Sequence, residues 1–107
     1  MSQDDNVKKV IFNLNSLDFI LIDDKLKKAY DTYNNIIFEF DVTNITISNI
    51  NVIPQILKLI TKYKHKEYKL KCIDIKCPKI QTIKRKLIKD CVRIASKQIT
   101  KPVYIIT

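Results

Sequence analysis

Val10, Phe12 and Leu14 alternate with Lys9, Ile11 and Asn13, the period of two that sends successive side chains to opposite faces of a strand. A strand over residues 7–14 is expected. Leu26, Ala29, Tyr30 and Tyr33 then recur at helical spacing, with Lys25, Lys27, Lys28 and Asp31 on other faces, so a helix follows. Asp23 and Asp24 stand where an N-cap is wanted, and residues 19–22 read as a short strand or as the helix entrance. Residues 36–42, IIFEFDV, are β-branched and aromatic as in a central strand. Glu39 and Asp41 are two apart and share one face of it; they imply an open face or end where lysines of a neighbouring element would meet them.

Ile53, Ile56, Leu57 and Ile60 follow the i, i+3, i+4, i+7 rule with Lys58 and Lys62 opposite, which gives an amphipathic helix entered near Pro54. Tyr68, Leu70 and Cys72 alternate with Lys69 and Lys71, a strand to about Ile75. Pro78 suits a first helical turn, where its missing N–H costs nothing. On the wheel of that helix Ile80, Ile83, Leu87, Cys91, Ile94 and Ala95 share a face, with a core sector at Ile83, Leu87 and Ile94, and the helix runs to about Lys97. Residues 102–106 close the pattern as a last strand. Strands alternating with helices imply βαβ crossovers. The expected fold is a single α/β domain over residues 1–107, with residues 1–6 a flexible tail. Its sheet is mixed, mostly parallel, of four to five strands, with about three helices on one or both faces.

Composition narrows the function. There is no glycine, which removes the phosphate-binding loops, dinucleotide turns, nucleophile elbows and calcium loops that need glycine for positive φ or close backbone approach. Turns then rest on Asn15, Asn34, Asn35 and Asn44, whose side chains tolerate the left-handed region. The excess of Ile, Lys and Asn resembles translation of an AT-rich genome, such as those of some viruses, parasites and bacteria. The longest uncharged apolar run, residues 19–22, is far below the roughly 20 residues that cross a bilayer, and no signal peptide is expected. The net charge is +9, distributed unevenly: residues 1–57 hold five Lys against eight acids, and residues 58–107 hold fifteen Lys and Arg against three acids. Acidic partners follow from that basic second half.

The element order over residues 10–106 resembles the STAS domain, the fold of anti-sigma-factor antagonists and of the cytoplasmic tails of sulfate transporters. Leu17-Asp18-Phe19 resembles that family's turn into its first helix, IIFEFDVTNITI its central strand and loop, and KLKCIDIKCPKIQTIKRKLI its next strand, loop and long helix. The resemblance implies a protein-interaction module. Antagonist members carry Asp-Ser-Ser-Gly or Asp-Thr-Ser-Gly, whose hydroxyl accepts phosphate; this chain has Asn49-Ile50-Asn51-Val52 there, with neither hydroxyl nor glycine. Ser48, one residue earlier, is the remaining phosphorylation or anion site, since a helix N-terminus favours an added phosphate. LNSLDFILIDDKLKKAY is also similar to the start of a small-subunit ribosomal protein, but that family's later Gly-Pro-rich loop and Ser-Pro-His element have no counterpart.

Cys72, Cys77 and Cys91 are an odd set, which suits reduced thiols in a cytoplasmic compartment. With His65, the only histidine, they lack the paired spacing of a zinc knuckle, so no metal and no cofactor is expected. His65 reads as a solvated turn residue. Cys77, before Pro78 and between Lys76 and Lys79, is the candidate reactive thiol, because a helix N-terminus and nearby cations favour the thiolate. At 100° per residue, Lys79, Lys86, Lys89, Arg93 and Lys97 form one row on the last helix, away from its core sector. Such a row faces an acidic protein or tracks phosphates; 18 of the 20 basic residues are Lys, which argues against reading base sequence. Tyr63 and Tyr68 are the aromatic residues off the apolar faces. The expectation is a non-enzymatic interaction module, STAS-like, within a larger assembly or virion. Its alternative is a non-specific nucleic-acid-binding or ribosome-associated protein.

Overall fold

A computed structural model describes residues 6–14, 19–77 and 82–106. β1 (Lys8–Asn13), α1 (Phe19–Thr32), β2 (Ile36–Asp41), α2 (Val52–Thr61), β3 (Leu70–Lys76), α3 (Thr82–Ser96) and β4 (Val103–Ile106) alternate as the hydrophobic periods require, with short 3-10 segments at Ile47–Asn49 and Lys64–Lys69. The sheet order is β1-β2-β3-β4. Every pairing is parallel, so the described sheet is not mixed. Strands added in chain order through right-handed crossovers place all helices on one side, and α2 packs against both α1 and α3.

The strands show two faces. Val10 and Phe12, Phe38 and Phe40, Ile73 and Ile75 are buried under the helices, with Val103 and Ile105 packed beside them. Phe12 stacks on Phe40 at 4.9 Å, and Tyr30 of α1 forms a T-shaped pair with Phe38, with ring centroids 5.4 Å apart. The opposite face carries Ile11, Asn13, Ile37, Glu39, Asp41, Cys72, Asp74, Lys76, Tyr104 and Ile106, and no described element covers it. Parallel sheets are ordinarily covered on both faces.

Several local expectations change. Residues 19–22 are helix, so Asp23 and Asp24 lie inside α1 rather than capping it. Asp23 instead joins α1 to the end of α2, accepting from Lys62 Nζ at 3.0 Å and Tyr63 Oη at 3.0 Å. Tyr63 is therefore half-buried, stacked on Tyr30 at 4.8 Å, whereas Tyr68 is exposed. β3 starts at Leu70 and its register shifts opposite Ile36 and Ile37, which pair with Leu70 and Cys72. Lys71 is the extra residue, and the phase change turns Cys72 away from the helices. Among the described residues no φ is positive. Asn34 and Asn35 bend the chain, and Asn44 turns it, without the left-handed region; Asn15 lies outside the described residues. The turn after β2 closes on Asp41 Oδ1, which accepts from Thr43 N–H at 2.9 Å and Thr43 Oγ1 at 2.5 Å. Pro54 sits in the first turn of α2. Pro78 and Ile80 lie outside the described residues.

Candidate interaction surfaces

α3 buries Ile88, Val92 and Ala95, a spacing of four and three that defines its inner face. The sequence places the core sector at Ile83, Leu87 and Ile94, and the structure rotates it. Ile83 is 70% exposed and Ile94 63% exposed, while Leu87 and Cys91 are half-buried. Lys84 and Arg85, at the margins of the inner face, donate to Thr43 O at 2.8 Å and Cys77 O at 2.6 Å, anchoring the helix to the ends of β2 and β3. Lys86, Lys89, Arg93 and Lys97 are exposed. They span about 16 Å along the axis at 1.5 Å per residue, and the wheel puts Ile83 and Ile94 beside that row. Arg93 lies 3.8 Å from Asp90 in an exposed pair; Lys79 is outside the described residues.

On the uncovered sheet face Lys9 Nζ lies 3.1 Å from Glu39 Oε1 and 3.5 Å from Asp74 Oδ2. Glu39 thus meets a lysine of the neighbouring strand, and it is only 8% exposed. Two carboxylates share one cation, and hydrogen bonding to Glu39 holds the Lys9 ammonium above the ordinary lysine value. Asp41, further along β2, is pushed up by burial, but its bonds from Thr43 outweigh this and hold it below the usual carboxylate range. Cys72 sits beside Asp74, and burial followed by that carboxylate pushes its thiol up. Tyr104 projects from the far strand, exposed rather than core.

The rim of that face is β1. Lys8 N–H donates to Asn35 O and Leu14 N–H to Asp41 O, so by the alternation of a parallel ladder the N–H and C=O groups of Lys9, Ile11 and Asn13 point outward. α1 overhangs this edge. Between them runs a groove of about 450 Å3 lined by Lys8, Lys9, Ile11, Lys25, Lys28 and Tyr33, among others. Lys25 Nζ donates to Ile11 O at 2.5 Å and lies 4.7 Å from the Phe12 ring centroid; Lys8 Nζ lies 5.5 Å from that of Tyr33. No signal in a single sequence marks this groove, because its walls come from two elements that meet only in the fold.

The remaining candidates are scattered. Cys77 is 3% exposed, its N–H bonded to Ile106 O at 2.8 Å. The candidate reactive thiol is a core residue closed to solvent, with β4 beside it. Burial, then Asp90, pushes the Cys91 thiol up. Ser48 is exposed in the 3-10 segment, with Oγ 2.9 Å from Thr46 Oγ1. In the stretch after it Ile50 and Val52 are buried. The backbone of His65 belongs to the second 3-10 segment, and no group of metal-ligating residues forms among the described residues. No described helix is long and apolar enough to cross a membrane. Compared with protein-family models, curated proteins and solved structures, the chain matches none.

Proposed function

We propose that this chain is a non-enzymatic protein-interaction module of STAS-like arrangement whose α3 outer face seats on an acidic protein surface. One observation carries the reading: Ile83 and Ile94 stand exposed beside the row of Lys86, Lys89, Arg93 and Lys97. A phosphate backbone rewards the cations and nothing else on that face, whereas a protein partner also buries the two isoleucines, at about 25 cal/mol for each Å2 of apolar surface removed from water. Charge then orients and accelerates the encounter while apolar burial holds it. The STAS-like part of the reading is supported by the alternation of strands and helices and by the sequence stretches that resemble that family. Its phosphoswitch is left out, since the corresponding positions alternate exposed asparagine with the buried Ile50 and Val52.

The test is capture from the native source with the purified chain, with and without nuclease. A partner that survives nuclease and is lost with both Lys89→Glu/Arg93→Glu and Ile94→Glu supports the proposal. Capture that disappears with nuclease overturns it in favour of nucleic acid, and duplex DNA binding should then weaken with salt at a log–log slope of about −4, one counterion for each of four cations.

A further inference from the structure

We infer that the outer edge of β1 accepts an extended, acidic segment of a partner protein as an additional strand. The inference rests on the reading of the chain as an interaction module and names a second surface and its chemistry. Three observations converge on the edge. Lys9, Ile11 and Asn13 direct their backbone groups outward with no strand beside them among the described residues, and an edge of this kind is a template for another strand. The groove beside it is lined by four lysines, and none of its lining residues is acidic. Of those four, Lys9 is committed to Glu39 and Asp74; among the described residues no carboxylate pairs with Lys8, Lys25 or Lys28.

Lys25 makes the edge selective. Its ammonium occupies Ile11 O, which blunts the edge against indiscriminate pairing, as edge lysines commonly do. An incoming carboxylate draws that ammonium away and frees the carbonyl for a backbone N–H. A neutral or basic strand offers no such exchange. Because side chains of a strand alternate between faces, every second residue of the partner would face Lys25 and Lys28 under α1, and those between would extend the uncovered face beyond Ile11. The partner is not a second copy, since two such edges would set Lys8, Lys25 and Lys28 against their own images, and like charges in register destabilise a strand pair.

The experiment titrates the full-length chain, isotope-labelled, with a peptide of alternating Glu and Val, about nine residues to match an ordinary strand, and with the Lys/Val peptide of the same length. Binding of the Glu/Val peptide alone, slowed exchange of the Lys9, Ile11 and Asn13 amides, and a tenfold or greater loss of affinity in Lys25→Glu/Lys28→Glu are expected. Lys25→Gln/Lys28→Gln, with a native circular dichroism spectrum, should show an intermediate loss and guards against misfolding. Equal binding of the two peptides, an unchanged affinity in the double variant, or protection at β4 instead of β1 overturns the inference. Loss of peptide binding through Lys89→Glu/Arg93→Glu, with Lys25→Glu/Lys28→Glu silent, also overturns it and leaves the α3 reading intact. Peptide binding at β1 in a protein whose α3 variants capture partners normally overturns that reading alone.

Discussion

β2 displays two kinds of surface within six residues. Phe38 and Phe40 point under the helices and are buried by them, while Glu39, between them, is nearly as inaccessible on a face that no described helix covers. The first face is shielded by helices and held by aromatic packing. On the second, Lys9 lies across Glu39 and Asp74. The same contrast divides α3, with Ile88 inside and Ile83 and Ile94 outside. Burial on the helix side is where stability should reside, and the outward surfaces are free to serve recognition. With no second helical layer among the described residues, the sheet forgoes that much apolar burial, and its open face keeps mixed polarity.

The largest test of the contrast is Phe38→Ala, expected to destabilise by about 3–5 kcal/mol through lost burial and a cavity. Urea denaturation measures it, and an effect under 1 kcal/mol would remove the distinction between the faces. Ile88→Ala should cost about 2–5 kcal/mol and Ile83→Ala no more than about 0.5 kcal/mol. Equal losses would mean that the inner face of α3 is misassigned. On the open face, Lys9→Met leaves Glu39 and Asp74 facing one another without their cation, a loss of about 1–3 kcal/mol. Adding Glu39→Gln should recover part of it, as a double-mutant cycle would show.

A smaller effect follows pH. The Lys62 ammonium holds the Asp23 carboxyl below the usual carboxylate value of 3.8, so its contribution is present above that pH and is lost as pH falls through the lower folded value. Burial and then Asp23 push the Tyr63 phenol up to about 12 from 10.0. Tyr63 must stay protonated in the fold, so stability is fully present below pH 10.0 and declines as pH rises toward about 12. Tyr63→Phe should shrink that alkaline decline in urea midpoints, leaving the part that Lys9 contributes. It should also weaken the acid limb of Asp23 without removing it, because Lys62 still holds the carboxyl while the Tyr63 bond is gone. The smallest expectation is Lys89→Ala, within about 0.5 kcal/mol, against a clear loss of partner capture by its charge reversal.

The legible parts of the chain were those in which one element carries its own period. IIFEFDV and the repeat through Ile53, Ile56, Leu57 and Ile60 specify a strand and a helix by local sterics and amphipathicity, and both formed where expected. α3 was harder. Ile83, Leu87, Ile88, Cys91, Val92, Ile94 and Ala95 spread apolar character over about half of its circumference, so the wheel alone offers several inner faces, and packing against α2 and the sheet selects Ile88 and Val92. In β3 the extra residue Lys71 changes the alternation at the start of the strand, a shift that depends on pairing with β2 and reverses the face of Cys72.

Composition and periodicity thus determined the alternation of strands and helices, the absence of glycine for glycine-dependent turns, and the shared outer side of Lys86, Lys89, Arg93 and Lys97, because each rests on residue type or on neighbours within one element. Tertiary structure decided which sheet face is covered, that Cys77 is closed to solvent, that Tyr63 is drawn inward by Asp23, and that Lys8, Lys25 and Lys28 gather at the rim of β1. These outcomes require residues distant in the chain to meet. The crossovers and the register that bring them together reflect competition among packings of the whole molecule, and no local pattern encodes the result.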